Sequence, residues 1–172
     1  MLELRRQHGI KAATVESIRV EVAKHAYDRL VFSVPRSGLE GKFCLGYLLG
    51  RAMIDGKVSL DHFTDEAVRE QPVLDFAKRV RMELNTSLTD SSEVRPTNVA
   101  IKLRDGRTFS RHVEYAKGNP QLPLSAHELK AKFVDCARRV IDEKAIQAII
   151  DQVENLETVK DLGSLCRLLS AA

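Results

Sequence analysis

From Phe43 to Ile54 nearly every residue is apolar, and Arg51 is the one charge in the run. A proline-free apolar run of that length predicts a helix buried on more than one side. It is too short, and too polar at its ends, to cross a bilayer. The helix is expected to extend over residues 38–56. Leu39, Phe43 and Tyr47 follow one another at i+4 and should share a face. Gly46 and Gly50 are also four apart. Each glycine weakens a helix by about 1 kcal/mol, so the pair points to close approach by another helix or by a ligand. Asp55-Gly56 ends the run, with Gly56 suited to the left-handed position after a helix.

Either side of this run the period changes. Leu2 and Leu4 among charges read as an amphipathic helix closed by His8-Gly9, with no capping residue ahead of it. Residues 1–10 are therefore expected to be the tail of an upstream helix, in a piece of a longer protein. Ile18, Val20 and Val22 alternate with Arg19 and Glu21, the pattern of a half-buried strand over 15–22. Residues 23–38 read as a long connection. Thr64 is placed to cap a short helix over 65–69, and Pro72 to open another. Val80, Met82 and Leu84 alternate as a second strand, and the polar stretch 85–96 reads as an excursion.

The clearest hairpin spans 97–115. A two-residue Asp105-Gly106 loop would split the apolar residues between two faces. A three-residue loop, Arg104-Asp105-Gly106, pairs Ile101 with Phe109 and keeps them on one side. Beyond the Gly/Pro-rich stretch 117–123, Ser125 and Glu128 form a capping box. Three amphipathic helices follow, the last two making a C-terminal helical segment over 143–172. Strands and helices are mixed rather than alternating. The expected class is α+β, a single domain over 1–172. It should have a small, mostly antiparallel sheet packed on one face by helices, and extra C-terminal helices.

Composition narrows the function classes. The chain has 172 residues, 30% charged and 44% hydrophobic, with a net charge of +3. That length supports a real core. The charge is too small and too interleaved to argue for nucleic acid. No signal peptide or membrane run is present, so no membrane partner is expected and a cytoplasmic setting is. Cys44, Cys136 and Cys166 form no Cys-x-x-Cys pair and lie in apolar helical patterns, so buried free thiols are expected. His8, His25, His62, His112 and His127 show no metal-ligand spacing. No phosphate loop, nucleophile elbow or dinucleotide fingerprint occurs. The residues alone show no complete catalytic set.

The string KFCLGYLLGRAMIDG, then VSLDHFTDEAV, and later KGNPQLPLSAHELKAKF, resembles the C-terminal domain of the MmgE/PrpD family over essentially the whole chain. Lys42, Phe43, Tyr47, Asp55, Gly56 and Phe63 fit the family pattern, and Cys44 stands where serine is common. The family includes 2-methylcitrate dehydratase, cis-aconitate decarboxylase and iminodisuccinate epimerase. The resemblance implies cofactor-independent lyase or epimerase chemistry on a small di- or tricarboxylate. It also implies a separate N-terminal helical domain that carries most catalytic residues, so the isolated chain is expected to be inactive, and a homodimer is expected. Tyr47 falls at the family's active-site tyrosine; the alternative is a core aromatic on a buried helix. Arg36 and Lys42 flank the same helix start, where anions are favoured; the alternative is a pair of solvated cations. A non-catalytic interaction or dimerisation module remains the other functional class.

Overall fold

A computed structural model describes residues 1–91 and 93–170. Ser92, in the expected polar excursion, and the last two positions of the expected C-terminal segment lie outside the described residues. The chain divides into two compact units, Met1–Leu122 and Pro123–Ala172. The first holds α1 (Leu2–His8), β1 (Val15–Val22), α2 (Lys24–Arg29), α3 (Gly38–Gly41), α4 (Leu45–Ile54), α5 (Gln71–Ala77), β2 (Val80–Leu84), β3 (Thr97–Leu103) and β4 (Thr108–Val113). The second holds α6 (Ala126–Ala137), α7 (Glu143–Glu154) and α8 (Leu162–Leu169). The class is α+β.

The sheet has the order β2-β1-β3-β4. β1 runs antiparallel to β3, and β3 to β4, while β2 joins β1 in parallel. A parallel neighbour needs a long crossover, and here α2 to α5 supply it. Val15, Ile18, Val20 and Val22 of β1 and Val99, Ile101 and Leu103 of β3 are buried with Leu4 of α1, Met53 of α4 and Phe76 of α5. The opposite face is polar and open. There Asn98 donates to Glu21 at 2.8 Å and its oxygen meets His112 Nδ1 at 2.7 Å. The hairpin has the three-residue loop, with Ile101 opposite Phe109 and Gly106 at φ 88°.

Two expectations are corrected here. Residues 23–38 are not all loop, because α2 occupies the first part. The central helix is also broken: α3 ends at Gly41 and α4 starts after Cys44, whose φ of −111° and ψ of 98° are extended. The break rotates the faces out of phase. Tyr47 is 0% exposed, but Phe43 is 39% and Leu39 is 67% exposed. The reason lies in the neighbours. A Cβ on Gly38 would fall 1.8 Å from the Phe63 carbonyl oxygen, so the first turn is pressed against that backbone and cannot share the axis of α4.

The paired glycines of α4 face a helix, not open space. A Cβ on Gly46 would lie 3.1 Å from Ala77 Cβ, and one on Gly50 would lie 2.9 Å from Val73 Cγ1. Both neighbours belong to α5. In the second unit, Ser125 and Glu128 form the capping box, with bonds of 3.2 and 2.8 Å. Cys44 is buried, but Cys136 and Cys166 are exposed free thiols, because α6 to α8 are thinly packed and bury little beyond Ala137, Ile146 and Ile149.

The packing gives a direct test. Gly50→Val forces atoms into the α4–α5 contact and is expected to cost about 2–3 kcal/mol in a chemical-denaturation midpoint. Leu39→Ala, at an exposed position, is expected to change stability by less than about 0.5 kcal/mol.

Candidate functional site

Tyr47 and Arg51 are one helical turn apart on α4 and point together at the segment 59–70. Both are buried, Arg51 with 3% exposure. The Tyr47 hydroxyl donates to the His62 carbonyl and accepts from Arg51 Nε at 3.0 Å. The rest of the guanidinium is spoken for as well. Nη1 donates to Asp55 at 3.2 Å and to Glu70 at 3.0 Å, and Nη2 donates to the Ala67 carbonyl at 2.7 Å. Nη2 also meets the second Glu70 oxygen at 2.9 Å, which completes a two-point fork.

His62 closes the cluster. Its Nδ1 accepts the Ser59 backbone N–H at 3.1 Å, and its Nε2 faces Asp55 at 3.5 Å. Burial, then Arg51, lower the His62 pKa. Burial raises the Tyr47 phenol, and the Arg51 hydrogen bond only partly offsets this. Burial also works against the Arg51 charge, but hydrogen bonds to Glu70, Tyr47 and Asp55 outweigh it, and its pKa rises. Glu70 is lowered by the Arg51 hydrogen bond. Cys44 precedes the first turn of α4, and burial raises its thiol. Its Sγ donates to the Ser33 carbonyl at 3.6 Å.

Phe63 joins two of the three residues singled out from sequence. Its ring meets Tyr47 edge-on at 6.4 Å, and Lys42 Nζ lies 5.8 Å from its centroid. Arg36 stands apart on the surface. Its backbone N–H donates to Glu40 at 2.7 Å, and its carbonyl accepts from Arg69 at 3.4 Å. The other donors at the start of α3 also have protein partners: Gly38 N–H binds Asp65 at 2.8 Å, and Glu40 N–H binds Ser37 Oγ at 3.3 Å. A groove of about 510 Å³ is lined by Phe32, Val34, Leu45, Leu74, Ala77 and Lys78 among others. It is mostly apolar, and Lys78 is bound to Asp75 at 2.7 Å. Among the described residues, no group of three or more His, Cys, Asp or Glu is placed to hold a metal.

Sequence reasoning passed over Arg51, Asp55, His62 and Glu70 as a group. The available signal was Arg51 itself, a lone charge inside an apolar run with an aspartate at i+4. A buried arginine needs acceptors, and the acids near the run were the candidates.

The model of the MmgE/PrpD C-terminal domain matches residues 1–158. The chain belongs to the MmgE/PrpD family. This MmgE/PrpD domain is 27% identical over 135 residues to a cis-aconitate decarboxylase of Mus musculus, covering 78% of this chain and 28% of that protein. The Homo sapiens cis-aconitate decarboxylase is 24% identical over 135 residues, with the same shares of 78% and 28%. A cis-aconitate decarboxylase-like protein of Aspergillus oryzae is 24% identical over 136 residues, covering 79% of this chain and 28% of that protein. The chain thus spans less than a third of the length of the curated relatives it matches.

Tyr47→Phe leaves the buried Arg51 Nε–H and the His62 carbonyl short of a partner and is expected to cost about 1–2 kcal/mol. Glu70→Gln tests the charge. A carboxyl whose folded pKa is lowered stabilises the fold above its unfolded pKa, and that contribution is lost as pH falls through the folded value. The stability gap between wild type and Glu70→Gln should therefore be widest near neutrality and close in acid, read from melts across pH.

Proposed function

We propose that this chain is the C-terminal part of a cofactor-independent lyase or epimerase that acts on a small di- or tricarboxylate. The family match over residues 1–158 carries this reading, and the similarity to cis-aconitate decarboxylases supports it. Such enzymes take a proton from the carbon beside a carboxylate, then lose water or CO₂ or reprotonate the carbon. The reaction needs a base and cations that hold the carboxylates and stabilise the developing negative charge.

In this reading Tyr47, at the first turn of α4, turns its hydroxyl to the substrate once it leaves the His62 carbonyl that holds it, and Lys42 and Arg36 contribute positive charge at the rim. The base comes from outside the cluster, because both His62 ring nitrogens already face protein partners, Ser59 and Asp55. An N-terminal helical domain supplies it together with the remaining anion ligands, in a homodimer. The free thiols fit a cytoplasmic setting. No helix among the described residues is long and apolar enough to cross a membrane.

A second reading, a non-catalytic interaction module, is favoured by one observation. Val31, Val34 and Leu39 are exposed at 65%, 60% and 67% around the start of α4. The two readings separate in assay. With cis-aconitate or 2-methylcitrate and the 172-residue chain, alkene absorbance is expected to stay flat. Turnover by this chain that disappears in Tyr47→Phe would overturn the claim that it lacks a base. In the natural protein purified from its source cells, Tyr47→Phe is expected to lower kcat at least tenfold. An unchanged kcat there would remove Tyr47 from the site.

A further inference from the structure

His62 serves the cluster at two points. Its ring holds the turn Ser59–Phe63, and its backbone carbonyl holds the Tyr47 hydroxyl. The hydrogen bonds define the ring's protonation. Ser59 N–H is a donor, so Nδ1 is an acceptor and carries no proton. The neutral ring keeps its proton on Nε2, facing Asp55 Oδ2 at 3.5 Å. One lone pair is thus left to titrate, and it is the one that holds Ser59. A proton arriving on Nδ1 sets two donors against each other across 3.1 Å. The ring must then turn away, and of the two bonds between Ser59 and His62 the turn keeps only the backbone one, from His62 N–H to the Ser59 carbonyl at 3.1 Å.

We propose that His62 is a pH-sensitive positioning residue for Tyr47: the neutral imidazole fixes the turn whose carbonyl binds the tyrosine hydroxyl, and protonation of the imidazole frees both. The Tyr47 hydroxyl is then left with Arg51 alone and can offer its proton to an incoming oxygen. Charges face the ring from each packed element: Arg51 and Asp55 from α4, Lys57 and Asp61 from the turn and its approach, and Glu70 from the start of α5. Arg51 and Lys57 oppose the proton, as does burial, while Asp55 and Asp61 favour it. His62 has a side-chain exposure of 12%, so the ring is shielded enough for its bonds to matter and open enough for a proton to reach it.

The coupling is a property of this chain. Its meaning as regulation rests on the reading of Tyr47 as substrate-facing, so the test does not use activity. NMR of the isotope-labelled 172-residue chain, taken from pH 8 towards pH 5, follows the His62 ring nitrogens, the Tyr47 Cζ shift and the Ser59 amide exchange. All three are expected to move with one midpoint below the usual histidine value of about 6.5. Ser59 protection should fall at least tenfold while β1 and β3 amides hold theirs. His62→Asn, whose side-chain oxygen can take the place of Nδ1 without titrating, should keep Tyr47 unresponsive. A Tyr47 shift that stays flat while His62 titrates overturns the proposal. So does an equal response in His62→Asn, or loss of strand protection at the same pH. The wild-type titration decides the matter alone if the variant does not fold.

Discussion

A guanidinium at 3% exposure sets the terms for the first unit. Removing a cation from water is costly unless every donor finds an acceptor. Arg51 meets that demand with Tyr47, Ala67, Asp55 and both oxygens of Glu70. Lysine has no planar fork and would not reproduce this pattern. The acceptors come from α4 with the Asp55 that follows it, and from the stretch 67–70 just before α5, so one side chain joins two pieces of chain. Glu70 is 53% exposed, which limits the Coulomb gain of that pair. The value of the cluster lies in its geometry rather than in charge alone.

Around this point α4 divides the unit. Met53 faces the main core with the inward residues of β1 and β3, while Tyr47 and Cys44 pack with Val68 and Val73 in a second, smaller cluster. Gly46 and Gly50 let α5 lie directly on α4 between the two. Tyr47 is therefore both a core ring and the carrier of a polar hydroxyl. Those roles are compatible, because the buried hydroxyl has one acceptor and one donor, the His62 carbonyl and Arg51 Nε.

The sheet was legible because its signals are local. Alternation over β1 and β2 gave the strands, and the need to keep Ile101 and Phe109 on one face chose the three-residue hairpin loop. The capping box at Ser125 depends only on residues three apart. The break between α3 and α4 was not legible, since it follows from the approach of the distant Phe63 backbone to Gly38. For the same reason Leu39 and Phe43 lost the face they were expected to share with Tyr47. The family strings marked Tyr47 and Lys42, but not the partners that hold Tyr47. Those partners are the His62 carbonyl, fifteen residues on, and Arg51, itself held by Glu70 nineteen residues further, brought together only by the fold. Cys136 and Cys166 are exposed despite the apolar spacing on α6 and α8, because those helices bury little beyond Ala137.

If one guanidinium joins α4 to the stretch 67–70 that leads into α5, loosening it must be felt on both sides. Native-state hydrogen exchange on Arg51→Lys measures this most directly. The account predicts faster exchange at Asp55, at Val68, which bonds Thr64 at 3.2 Å, and at Leu74, which bonds Glu70 at 3.2 Å, with β1 and β3 unchanged. Faster exchange confined to α4, with Val68 and Leu74 as protected as in the wild type, would contradict it.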